Sequence, residues 1–137
     1  MTDLVTFLRS RLNEDEQAAR AAMWDDWYDN RWTAYHREKY DGRWAIIDQA
    51  DEGVITTVDP QAADDAGVAQ HIARHDPARV LREVEAKREL LNDYERFVRE
   101  RRRMMGGWDS YPEPSPVLLA FAAVYADHPD YQDTWRP

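Results

Sequence analysis

The chain has 137 residues, a length suited to one domain (1–137) whose core needs neither disulfide nor metal. Its 18 Lys and Arg stand against 27 Asp and Glu, a formal charge of −9, which argues against general affinity for nucleic acid or an anionic membrane. It has no cysteine, which excludes disulfide frameworks, thiolate zinc sites, iron–sulfur clusters and cysteine nucleophiles, and fits a cytoplasmic setting.

The first segment, "MTDLVTFLRSRLNEDEQ", has no basic start and no apolar centre, so no signal peptide is expected. No run approaches the ~18 apolar residues of a membrane span. Residues 3–23 read as a helix capped by Thr2 or Asp3. Leu4, Val5, Leu8, Leu12, Ala19, Ala22 and Met23 share one face at ~100° per residue. Asp15 falls inside that face, against the pattern. "MWDDWYDNRW" then mixes aromatics with Asp and Asn and reads as a helix end turning into a sheet.

Residues 32–59 carry the β signal. Asp41-Gly42 between two aromatic and β-branched runs predicts a hairpin, and Glu52-Gly53 a second turn. The expected strands cover 32–40, 43–50 and 53–58. Alternation does not decide which sheet face takes Trp32, Tyr35 and Trp44. A polar loop and a short helix over 66–75 follow. Asp76 then reads as an N-cap and Pro77 as the first helical residue of a helix over 77–103. Its apolar stripe is Val80, Val84, Leu91, Tyr94 and Val98, with Leu90 and Phe97 on the flank. Lys87 interrupts that stripe as Asp15 interrupts the first. The two helices are therefore expected to pack together and to bury an ion pair of Lys87 with Asp15 or a neighbouring acid. Gly106-Gly107 ends the helix, and 104–116 is a Gly/Pro-rich linker. "VLLAFAAVYA" reads as a buried helix. The tail is irregular, with Trp135 expected to dock, since a lone tryptophan is costly to leave in water.

Four groups of residues bear on function. His71 and His75 have the i, i+4 spacing that lets two imidazoles hold one metal from a helix face. Ile72 stands where a zincin has Glu, so a third ligand would come from Asp76 or from the Asp127–His128 turn. The plainer alternative is a surface pair at a helix end. Residues 74–103 carry ten Lys and Arg against seven Asp and Glu, net +3. Within them Arg96, Arg99, Arg101, Arg102 and Arg103 offer a local phosphate or acidic contact, or simply a solvated helix end that suits the dipole. The aromatics Trp24, Trp27, Tyr28 and Trp32, set among acids, offer a surface for a partner protein. Serines occur only at 10, 110 and 115, none in a nucleophile elbow, and no glycine-rich phosphate loop is present.

Three blocks in order, "DLVTFLRSRLNEDEQAAR", "HIARHDPARVLREVEAKRELL" and "YADHPDYQDTWRP", make the chain similar to a family of short uncharacterised proteins of actinobacteria, notably streptomycetes, and of their phages. The resemblance spans nearly the whole chain. It implies an actinobacterial or actinophage origin and a cytoplasmic accessory role; it supplies no catalytic residues and no cofactor. The expected fold is α+β, with two long helices and a C-terminal apolar helix against a three-stranded antiparallel meander. The expected function is a non-enzymatic interaction or regulatory module whose partner is a host or phage protein, or a second copy. A small metal-dependent enzyme at His71 and His75 with Asp76 or Asp127 and His128, and a local nucleotide or nucleic-acid contact through the Arg96–Arg103 run, are the alternatives.

Overall fold

A computed structural model describes residues 3–23, 30–106 and 113–137. The fold is α+β. In chain order it runs α1 (Leu4–Ala21), β1 (Thr33–His36), β2 (Trp44–Ile47), β3 (Gly53–Val58), α2 (Asp65–Arg74), α3 (Pro77–Met105) and α4 (Pro116–Ala122), with 3-10 turns at Ala123–Tyr125 and Asp133–Trp135. No helix among the described residues is long and apolar enough to cross a membrane.

Local side-chain chemistry sets the helix boundaries. Asp3 starts α1 by accepting from the Thr6 amide at 2.8 Å. Asp64 starts α2 by accepting from the Gly67 amide at 2.9 Å. A Cβ at Gly67 would sit 3.2 Å from the Asp64 carboxylate, so glycine keeps that cap uncrowded. Asp76 starts α3 by accepting from the Arg79 amide at 2.9 Å, with Pro77 next in the helix. Gly106 follows the last turn of α3 at φ +59°, a left-handed conformation that favours glycine.

The chain forms two compact units. One comprises residues up to Glu14 and from Glu85 to the C-terminus; the other comprises Asp15–Val84.

The second unit holds the sheet, in the order β1-β2-β3, all antiparallel. Tyr35 pairs with Ala45 and Ile46 with Ile55, with an irregularity in the β2–β3 ladder between Trp44 and Ile47. One sheet face packs on α2. Ile46, Val58 and Ala69 form the centre, flanked by Trp32, Trp44, Ile55 and Ile72. Trp32 and Trp44 therefore face the core, while Tyr35 is exposed. The strands are shorter than the sequence suggests. Residues 37–43 form a loop, closed by the Arg37 amide donating to the Arg43 carbonyl at 2.8 Å. The Arg37 guanidinium donates to the Thr56 carbonyl at 2.7 Å and the Thr57 hydroxyl at 3.0 Å. That anchor holds the first hairpin loop against β3. The second turn spans 48–52, where Asp48 accepts from the Ala50 and Glu52 amides, each at 2.9 Å. Asp51 takes the left-handed conformation there, φ 58°.

The first unit is built on the start of α1. Leu4, Phe7, Leu8 and Leu12 are buried there, together with Leu91, Leu118, Ala122, Tyr131 and Trp135. The C-terminal tail docks, as Trp135 predicts. The Phe7 ring meets Trp135 at 5.0 Å, Tyr131 at 6.0 Å and Tyr125 at 6.3 Å, the last two edge-on. Edge-to-face rings add favourable quadrupole contacts to the area they bury. On another side, Asn13 accepts from Arg88 at 2.8 Å, and Arg9 donates to Asn92 at 2.9 Å and pairs with Glu95.

Candidate functional site

The two histidines at the end of α2 lie side by side, their rings 4.4 Å apart. His75 donates from Nδ1 to the His71 carbonyl at 2.8 Å, which leaves its Nε2 as the free acceptor. Asp76 is committed elsewhere. One of its oxygens takes the Arg79 amide, and the other takes the Trp32 amide at 3.1 Å. It thus caps α3 and fastens the residue just before β1. His128 belongs to the other unit, where its ring meets Phe7 at 5.8 Å and its Nδ1 accepts from the Asp130 amide at 3.0 Å. Among the described residues no group of three or more His, Asp or Glu is placed to hold a metal ion. Asp76 and His128 are thus each engaged in contacts within their own unit.

Asp15 and Lys87 are half-buried and fall in different units. The Lys87 ammonium stands over the Phe121 ring, 5.4 Å from its centre, a cation–π contact from α3 to α4. Trp32 is half-buried against the sheet core, its indole N–H buried without a hydrogen-bond partner. Trp24, Trp27 and Tyr28 lie outside the described residues.

One cluster gave no signal in the sequence. Arg11 on α1 has a side chain only 7% exposed. Its guanidinium lies over Phe7 at 5.0 Å, pairs with Glu14 at 2.9 Å, and touches the His128 ring. Asp130 lies 3.8 Å away. An arginine on a buried helix face is the exception among charged residues. The only trace of it in the sequence is its position four residues after Phe7, on the same face. The cluster clamps the tail to α1: the His128 ring lies against the Arg11 guanidinium, with the Glu14 carboxylate 3.7 Å from its Nε2.

The C-terminal half of α3 presents the largest outward chemistry. Its inner face carries Leu91, buried, with Tyr94 and Val98 half-buried. Rotated from that face, Leu90, Phe97 and Met104 recur every seventh residue and are 61%, 42% and 83% exposed. A seven-residue repeat holds one side of a helix. Arg101 leans over the Phe97 ring at 5.6 Å, and Arg96 pairs with Asp93 beside it. Arg102 pairs with Glu113 at 3.2 Å. The basic run is therefore neutralised in part by acids of the same unit, which explains why net +3 in the sequence does not become a continuous positive face. On the flanks of the row stand Glu89, Asp93 and Glu100 on one side and Arg101 on the other.

No curated protein and no solved structure matches the chain. The model of one family covers it from end to end, residues 1–137, and the chain accordingly belongs to the family of unknown function DUF6221.

Proposed function

We propose that this protein is a non-enzymatic interaction module that docks a partner protein along the outer row of α3. The observation that carries this is the exposed Leu90–Phe97–Met104 row on a helix whose inner face is already packed. Exposed apolar side chains scattered singly need no explanation, but an aligned row on a regular helix has the form of a helix-in-groove contact. The sequence pointed to Trp24, Trp27, Tyr28 and Trp32 for this role. Of these Trp32 is half-buried against the sheet core and the other three lie outside the described residues, so the reading rests on the α3 row.

The flanking charges favour a different protein over a second copy. In a parallel pairing of two rows, Arg96 would meet Arg101 across the seam. In an antiparallel pairing centred on Phe97, Asp93 and Glu100 would share one side. Both arrangements oppose like charges, which costs specificity and affinity. The fitting partner presents an apolar groove with basic residues along one rim, against Glu89, Asp93 and Glu100. Given the actinobacterial and phage resemblance, such a partner would be a host or phage protein.

The doubly substituted chain Leu90→Asp/Met104→Asp tests this. Both side chains are exposed, so folding stability should change by no more than about 0.5 kcal/mol per site. Affinity capture from an actinobacterial lysate should recover a discrete protein with the wild type and lose it with the variant. Equal recovery by both chains would contradict the proposal.

A further inference from the structure

A cleft of the first unit lies where the start of α1, the end of α3, residues 113–118 and the tail converge. Its volume is about 870 Å³, within the range of small-molecule sites. Leu4, Val98, Leu118 and Trp135 give it an apolar floor. Arg9, Arg99 and Arg102 also line it, together with the carboxylates Asp3, Glu95 and Glu113. Arg9 is held by Glu95 and Asn92, and Arg102 by Glu113. Arg99 has no hydrogen bond and no ion pair among the described residues. A second donor among the lining residues is also unmatched. Ser115 is 1% exposed, and its buried hydroxyl has no hydrogen-bond partner, although the residue sits at the start of α4 where a serine usually caps. Buried polar groups are nearly always satisfied, so an unmatched hydroxyl and an unmatched guanidinium lining one cleft point to an acceptor supplied from outside.

We propose that this cleft binds a small amphipathic anion, an acyl or aromatic carboxylate, with its apolar body on Trp135 and Leu118 and its head group on Arg99 and Ser115. The guanidinium offers a planar pair of donors that matches a carboxylate, and the hydroxyl adds a third. The apolar floor gives the body a reason to leave water. Inorganic phosphate would satisfy the donors but gain nothing from the floor. The site shares no residue with the outer row of α3, so the two proposals stand or fall separately.

The test uses the full chain and the fluorescent probe anilinonaphthalene sulfonate in native buffer. The expected result is one probe per chain with blue-shifted emission, displaced by octanoate and not by phosphate at equal ionic strength. Arg99→Ala should weaken binding about tenfold, the loss of one charge-assisted contact. Arg99→Lys, which keeps the charge but not the fork, should lie between the two. Leu90→Asp/Met104→Asp should leave binding unchanged, which separates the cleft from the outer row. Absence of stoichiometric binding, equal affinity in Arg99→Ala, or equally ready displacement by phosphate would each overturn the proposal.

Discussion

Single carboxylates do much of the positioning in this protein. Asp76 satisfies two backbone donors at once, in a helix and in the segment entering the sheet. Removing it strands both. Asp76→Ala is expected to lower unfolding stability by about 2 kcal/mol, the sum of a lost cap and a donor left unpaired. Asp76→Asn, which keeps one acceptor, should recover part of that loss in urea titrations. Asp41 makes a second case. It accepts from the Arg43 amide at 3.0 Å and is bridged by Arg37 at 2.9 Å. The Arg43 N–H, with Arg37 beside it, holds its carboxyl below the ordinary carboxylate value. Because the folded pKa is depressed, the stability it lends is present above the unfolded pKa and is lost as pH falls through the folded one. A carboxyl-carbon NMR titration should show Asp41 titrating at lower pH than in an unstructured peptide. A value at or above the peptide's would contradict the loop geometry.

At the scale of elements, the tail is held by rings rather than by regular structure. Phe7 gathers Tyr125, Tyr131 and Trp135, and Arg11 locks His128 beside them. Trp135→Ala is expected to cost about 3 kcal/mol, typical of deleting a buried aromatic. It should also abolish amide protection between His128 and Trp135 in hydrogen exchange; a tail that stayed protected would contradict the docking. The helices were legible in the sequence because their signals are local: Asp76-Pro77 opens α3, Gly106 closes it, and apolar spacing runs between them. Strand lengths were less so, because the Arg37 anchor to Thr56 and Thr57 is a contact between distant residues. The same holds for the site. Leu90 and Phe97 were visible as a flank of the apolar stripe, but only the packed neighbours decide that they face outward. Phe7 and Arg11 went unread because a helical wheel ranks an arginine as solvated, while the tail that buries it lies over a hundred residues away. The i, i+4 histidines were legible as a pair; that Asp76 is taken up by the Trp32 and Arg79 amides was not, since Trp32 lies 44 residues away.

Across the whole molecule, acidity and an apolar row work together. A charge of −9 opposes self-association, and in the interaction reading proposed above the exposed row on α3 would meet a partner of complementary charge. The interaction reading therefore predicts that the isolated chain stays monomeric and that capture of its partner weakens as salt rises, because the rim contacts are exposed ion pairs. The most direct measurement is site-specific photo-crosslinking in an actinobacterial cell, with a benzophenone amino acid at Leu90, at Met104, and at a control position, Thr33 on β1. The account predicts one adduct with a different protein, shared by Leu90 and Met104 and missing at Thr33. Adducts at all three positions, none at any, or an adduct with a second copy of this chain would contradict it.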